Sequence, residues 1–523
     1  MAHHGWVRVK ESEFDDNGDL KFPFVRLVQG GGHAYDSHAI SLLSGAMGPM
    51  QKLASNAGLK EVLPAGFTFL GQFIDHDLTE LIGRDEVNAV VPNAKTTEPR
   101  QVVTSDTGTT TILNGRTARF DLDSVYGLQG VLDLDLFDRD GLFLMNQGRD
   151  IVRGIAGREM GRLIADPRND ENKIIVQVHL LFEKLHNKIH SQKIATTGAG
   201  VQHDAGSDIF NESREETQKV FRRIVIHDYL PRITSQSLMK TVFGKLGTNT
   251  ALYSIAAENV RKKARSHGLS EDEVLQIFPM PVEFAHAAFR FGHTQLQDGY
   301  RLNALTQLKL FLTEAGDRDL RGDEEITADL EIDWKYFFEL QGVEKSGAPV
   351  DAALPDSIFR LPPPTIGEPP LSLAERNIRR GIDVDLPTAQ EMFAALKAVY
   401  GTEVSFPDLT SAQLFPDDLR KGFREVLGKD RQQGTVSFET HTPLWYYILR
   451  EAEQQTSAGL GPLGSVLCAE TILGCLYLED PVFLSQEMSK LGTTPTVSGP
   501  DDIQTMVAMI EYIEQAPLAY LGS

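Results

Sequence analysis

A mainly α-helical fold in one large domain is what this sequence predicts, and three observations carry the reading. Residues such as Phe182, Leu185 and Ile189, and again Phe284, Ala288, Phe291 and Gln295, recur at the three- to four-residue spacing of a helix face. Strand-like runs are short and few, for example Phe22 to Val28 and Gln101 to Thr104. No internal repeat and no long low-complexity linker divides the 523 residues, so residues 1–523 read as a single domain with an irregular N-terminal arm over about residues 1–60. At 41% hydrophobic and 24% charged, the chain holds enough apolar side chains for a sizeable core.

The formal charge of −22 disfavours nucleic acid and anionic membrane as partners and favours solubility. Cys468 and Cys475 are the only cysteines, too few for a disulfide framework, and seven residues apart they read as buried thiols on one helix face. The stretch MAHHGWVRVKESEFDD lacks the apolar run of a signal peptide. The best membrane candidate, Leu460 to Leu484, is interrupted by Glu470, Glu479, Asp480 and Pro481 and reads as a core helix, so no transmembrane segment is expected. The expected protein is soluble, cytoplasmic or exported without a classical signal peptide.

The first segment with chemical content is GQFIDHDLTE, residues 71–80. On a helix each residue turns about 100°, which sets Gln72, Asp75 and His76 on one face and turns Asp77 away. The plain alternative is a helix N-terminus with acids near the dipole. Next comes Arg116 to Gly127, RTARFDLDSVYG, where Thr117, Asp121 and Asp123 supply oxygens at odd positions, a pattern suited to a hard cation such as calcium. It is not an EF-hand, because the sixth and twelfth positions from Asp121 are Tyr126 and Leu132.

In ADPRNDE, Asp166 has the makings of an N-cap with Pro167 at the first helical position, and Arg168 and Glu171 fall on one face. A surface ion pair is the plain alternative there. A helix carrying HLLFEKLHN follows. Further on, EFAHAAFRFGHTQL puts His286 and His293 on one apolar helix face, where a satisfied core histidine is the ordinary explanation for either. The Pro-rich stretch Leu361 to Pro370 is a rigid connection rather than an element.

Taken in order, GQFIDHD, TARFDLDSVYG, DPRNDE with HLLFEKLHN, AAFRFGHTQ and the later Asn377-Ile-Arg-Arg380 before Leu386-Pro387 resemble the peroxidase–cyclooxygenase superfamily, the animal haem peroxidases. The tail Leu444-Trp-Tyr-Tyr-Ile-Leu-Arg450 looks like the bacterial branch. The resemblance implies haem b with His293 as axial iron ligand, Asn377 as hydrogen-bond partner of that imidazole, and Arg380 near a propionate. It implies His76 as distal base, Arg168 as distal arginine and Gln72 as distal glutamine. It also implies ester links from Asp75 and Glu171 to haem methyl groups, and a calcium ion held by Asp77, Thr117, the backbone carbonyl of Arg119, Asp121 and Asp123.

The activity implied is that of a peroxidase: hydrogen peroxide oxidises the haem to an oxoferryl species, and a phenol, another small electron donor, a halide or thiocyanate restores it. Alternatives are a fatty-acid dioxygenase of the same superfamily and a haem-holding or adhesion protein without turnover. Several departures matter. The family's disulfides are missing, RGIDVDLP stands where the family often reads RGRDHGLP, and Asn172 replaces the methionine that forms a sulfonium link in the myeloperoxidase type. Dioxygenases and cyclooxygenases carry a tyrosine three residues before the proximal histidine; here that position is Arg290.

Overall fold

The computed structural model describes residues 24–45, 48–52, 61–83, 112–114, 116–128, 131–158, 161–197, 201–311, 318–340, 347–359, 372–415, 419, 421–422, 435–494 and 496–515. Helices dominate it, as the spacing predicts. The ones that position the site are α1 (Ala65–Leu78), α2 (Ile175–Thr196), α3 (Asp208–Ile224), α4 (Leu373–Asp383), α5 (Leu444–Glu453) and α6 (Pro462–Glu479). Strands are two to four residues long, among them Phe24–Val25 pairing in parallel with Met280–Pro281 and Asp150–Arg153 in the middle of a three-stranded antiparallel sheet.

Local chemistry explains the helix starts. Ser372 caps α4 by accepting from the Glu375 N–H, and Pro462 opens α6 at a position that needs no donor. The Glu451 carboxylate, sent across from α5, accepts from Leu463 N at 2.9 Å and Gly464 N at 3.4 Å in the first turn of α6.

The centre of the molecule is α1, which is buried almost all round. Phe73 stacks on Phe182 of α2 with ring centroids 4.8 Å apart and meets Phe221 of α3 edge-on at 5.8 Å. Each such ring contributes about 2–3 kcal/mol by leaving water, so the three clamp α1 against α2 and α3. Gly71 is required for a close approach: a Cβ there would lie 2.4 Å from the Tyr229 hydroxyl.

Several expectations need correcting. Asp75, His76 and Asp77 occupy the last turn of α1, not an N-terminus, so its dipole disfavours these acids instead of favouring them. His286 and His293 do not share one helix: an α-turn over Val282–His286 ends at Ala287, which has φ −133° and ψ −72°, and a 3₁₀ stretch, Ala288–Gln295, carries His293. The apolar run from Leu460 breaks at Asp480, which caps a second helix, Pro481–Ser489. Arg168 lies on one turn of 3₁₀ helix, Pro167–Asp170, and Glu171 directly follows that turn.

Among the described residues α6 is the one helix long and apolar enough to cross a membrane, with mean hydropathy 1.2, and 78% of it is buried within the protein. Cys468 and Cys475 lie on it as buried free thiols. The Gln101 to Thr104 run, the Leu361 to Pro370 connection and residues 1–23 of the N-terminal arm lie outside the described residues.

Candidate functional site

The last turn of α1 serves two sides. On one, His76 is 1% exposed and its Nδ1 lies 2.8 Å from Asn169 Oδ1. Burial, then the nearby Arg168 cation, pulls its pKa below the ordinary imidazole value, which keeps the ring neutral. Gln72 and Asp75 are half-buried on the same side. Gln72 Nε2 donates to Glu171, and Asn172 Nδ2 donates to Gln72 Oε1 at 3.3 Å, so Gln72, Glu171 and Asn172 form one polar group. Asp75 accepts from Thr79 Oγ1 at 2.9 Å; burial raises its pKa against the pull of Arg290, His76 and Arg168.

Arg168 is near His76 but heavily engaged. Its Nη2 donates to the His76 carbonyl at 2.7 Å and to Asp166 at 2.6 Å, its Nη1 to the Thr79 carbonyl at 2.6 Å, and its Nε to Asp166 at 3.1 Å. A guanidinium has five N–H groups, and these bonds leave one, on Nη1, to reach anything else. Asp166 also takes Arg116, and the two cations hold its carboxyl far below the usual range even though burial opposes them.

On the other side, Asp77 is fully buried and meets the loop that carries Asp121 and Asp123; carboxylate oxygens of the three lie within 4.8 Å of one another. Leu122 N and Ser124 N donate to Asp77 at 3.2 and 3.3 Å, and Ser124 Oγ at 3.0 Å. The loop reaches this shape by placing Ala118 (φ 53°) and Leu122 (φ 54°) in the left-handed region, at a cost of about 1–2 kcal/mol each. Thr117 Oγ1 adds a further oxygen, 3.2 Å from Asp121. Burial, and for Asp77 also Asp121, pushes that carboxyl up to about 8. Carboxylates so crowded fit a hard divalent cation. The Arg119 guanidinium lies between Glu479, to which Nη2 donates at 3.0 Å, and Asp121, 3.8 Å from its Nε.

His293 is half-buried, and burial and Arg290 lower its pKa to about 3, so it is a neutral ligand group. Its Nδ1 lies 2.9 Å from Asn377 Nδ2. As placed, Asn377 Oδ1 accepts from Arg290 Nη1 at 3.5 Å; turning the amide over would give up that contact for an Oδ1 that accepts from Nδ1–H and leaves the Nε2 lone pair for a metal.

The surroundings of His293 are cation-rich. Arg290 Nη2 is buried without a hydrogen-bond partner, and so are both nitrogens of His286. Burial and neighbouring Arg290 lower Arg380 to about 9. The unpartnered, buried Arg290 Nη2 calls for an acceptor. A haem fits this donor set: His293 for the iron and Arg380 for a propionate, with Asp75 and Glu171 on the His76 side.

A family model for animal haem peroxidase matches residues 54–314, the half of the chain that carries Gln72, His76, the acidic loop, Arg168 and His293. The chain belongs to the animal haem peroxidase family. Peroxidase A from Dictyostelium discoideum shares this haem peroxidase fold with a TM-score of 0.57 at 16% identity, over 100% of this chain and 99% of that one. A fatty acid alpha-dioxygenase from Oryza sativa follows at 0.53 and 13%, over 97% and 87%; a substituted form of that enzyme with palmitic acid gives 0.51 and 14%, over 91% and 78%. At these identities the likeness is one of fold. A comparison with curated protein sequences returns no match.

Arg116, Ser124, Asn169, His179 and Glu183 join the predicted residues in these contacts and were not among those the sequence singled out. Only His179 and Glu183, four apart on α2, leave a signal in the sequence: two polar residues inside an apolar helical run.

Proposed function

We propose that the protein is a haem-dependent peroxidase of one domain over residues 1–523, in the bacterial branch suggested by Leu444 to Arg450, which uses hydrogen peroxide to oxidise a phenol or a similar small donor, a halide or thiocyanate. The observation that carries this reading is a neutral, buried imidazole, His76, set beside Gln72 and Arg168 and carried on a helix that packs against the 3₁₀ stretch bearing His293. Haem held by His293 would supply the two electrons that cleave the O–O bond. The chain's own residues handle the protons. His76 takes the proton from one peroxide oxygen and returns it to the other, which leaves as water. Gln72 orients the peroxide, and the Arg168 charge stabilises the departing oxygen from close by.

Asp77, Thr117, Asp121 and Asp123, with the Arg119 carbonyl, would hold a calcium ion. That ion would fix the turn bearing His76, because Asp77 is its next residue. Arg290 is what separates this reading from a fatty-acid dioxygenase: a guanidinium cannot serve as the hydrogen-abstracting radical that a tyrosine at that position would form. The deciding experiment compares peroxide-driven oxidation of a phenolic donor with oxygen uptake on a polyunsaturated fatty acid. Donor oxidation and a Soret band that shifts with peroxide are expected. Oxygen uptake without donor oxidation would establish the dioxygenase, and a protein that stays colourless after haem supply would end both readings.

A further inference from the structure

Behind His76 runs a buried chain of hydrogen bonds that the peroxidase reading does not require. His76 Nδ1 faces Asn169 Oδ1 at 2.8 Å, Asn169 Nδ2 lies 3.2 Å from His179 Nδ1, and His179 Nε2 lies 3.0 Å from Glu183 Oε1. All four side chains are between 0% and 2% exposed, so water does not compete with these bonds. Glu183 is a carboxylate whose second oxygen, Oε2, is buried without a partner.

The protons in this chain are fixed from both ends. Asn169 Nδ2 also donates to the Ser124 carbonyl at 3.4 Å, a group that only accepts. The amide nitrogen therefore faces Ser124 and His179, and the amide oxygen faces His76. An amide oxygen only accepts, so His76 must carry its proton on Nδ1. At the far end Glu183 accepts from His179 Nε2–H, leaving His179 Nδ1 bare to accept from Asn169. No other arrangement sets a donor against an acceptor at all four contacts.

We propose that Asn169, backed by His179 and Glu183, is a positioning residue that locks His76 in the tautomer with its proton on Nδ1 and its lone pair on Nε2. The amide also steadies the ring when Nε2 takes a proton, because Nδ1–H then donates more strongly to Oδ1. Only the use made of the lone pair rests on the peroxidase reading. The lock is a property of the chain itself. Ser124 ties it to the acidic loop, since its N–H and Oγ–H hold Asp77 while its carbonyl holds Asn169.

The test begins with the full-length chain before haem loading, labelled with ¹⁵N-histidine. Long-range proton–nitrogen correlation, with His76→Ala to identify the signal, should place the His76 proton on Nδ1 in the wild type. A proton on Nε2 overturns the proposal without any variant. In Asn169→Ala the tautomers should mix. In haem-loaded protein that variant should slow the second-order reaction with peroxide about 100-fold, while the donor concentration for half-saturation stays unchanged. Asn169→Asp, which still accepts from Nδ1–H, should recover the rate to within about tenfold of wild type. A slow Asn169→Ala protein with an unchanged tautomer would make Asn169 merely structural. A wild type with the Nδ1 tautomer and no reaction with peroxide would defeat the peroxidase reading and leave the lock standing.

Discussion

The Arg168 guanidinium donates to the backbone carbonyl of His76 at 2.7 Å, so a permanent cation grips the main chain of the very residue whose side chain is the candidate base. The contact binds Arg168 to the last turn of α1 as firmly as Asp166 binds it to its own 3₁₀ turn. Arg168→Ala should therefore lower stability by about 3 kcal/mol, the scale for removing one partner from a buried ion pair, as well as slowing peroxide turnover. Chemical denaturation together with peroxide kinetics checks this. Lost turnover at undiminished stability would mean that Arg168 acts on peroxide alone.

The histidines should separate cleanly. His293→Ala should abolish or greatly weaken haem binding, read as loss of the Soret band on haem titration. His76→Ala should bind haem and react with peroxide slower by two to four orders of magnitude, the usual range for general acid–base catalysis. His286→Ala should keep haem, because its buried nitrogens make no hydrogen bond and it sits on a different turn from His293. Bleaching by the His286 change rather than the His293 change would relocate the proximal ligand.

Three carboxylates within 4.8 Å of one another should make the protein depend on a divalent cation. Calcium at 100 times its dissociation constant would add about 2.7 kcal/mol. Prolonged chelation should lower the melting temperature and the rate with peroxide, and calcium should restore both. An Asp121→Ala protein with wild-type melting and no response to chelator would show that the cluster holds no ion.

Ester links from Asp75 and Glu171 to haem methyl groups should form only after peroxide treatment. Each carboxylate oxygen bonds to a methyl carbon as that carbon gives up a proton and two electrons, with peroxide as the oxidant. Acid-denaturing extraction followed by mass spectrometry of the protein reads the outcome. Retained haem should fall by one link each in Asp75→Asn and Glu171→Gln, whereas haem that extracts completely from treated wild type rejects the links.

A pH dependence of stability should originate in buried carboxyls outside the proposed catalytic set. Burial pushes Glu451 up to about 8, against the donors Leu463 N and Gly464 N. The unfolded chain releases this proton near 4.5, the folded one only near 8, so the folded state binds more protons across that window. Stability should fall as pH rises from about 5 to 8, by about 1.4 kcal/mol per unit at most from this group. Glu470 and Glu283, both pushed up to about 7 by burial, act in the same direction. Glu451→Gln, whose amide oxygen still accepts, should flatten the slope in denaturation curves at about pH 5.5, 6.5 and 7.5. An unchanged slope refutes the assignment.

Helical content and the split of Asp77 from Asp75 and His76 were legible in the sequence because both follow from the 3.6-residue repeat. The polarity of that turn was not. Nothing local distinguishes acids at the start of a helix from acids at its end when the compensating groups, Arg116 and Arg168, arrive from distant segments. The break at Ala287 was hidden for a related reason: Phe284, Ala288 and Phe291 are all buried, as a continuous helix would bury them, while the backbone between them tightens to 3₁₀. Asn169 stood in plain view inside DPRNDE, but only tertiary contact gives an amide its partners.

The carbonyls at the end of α1 have a further consequence, for the order in which the protein assembles. His76 O is taken by Arg116 Nε at 3.0 Å and by Arg168, Leu78 O by Asn114 Nδ2 at 2.8 Å, and Thr79 O by Arg168. A helix end normally finds its partners nearby or in water; this one waits for side chains 40 and 92 residues further along from His76. A chain emerging from the ribosome can wind α1 early, yet its final turn stays frayed until residue 168 has been made and has docked. The imidazole of His76 therefore takes its final place only after Asn114, Arg116 and Arg168 have docked on the turn that carries it, so the order of synthesis sets the order in which this corner of the protein becomes rigid.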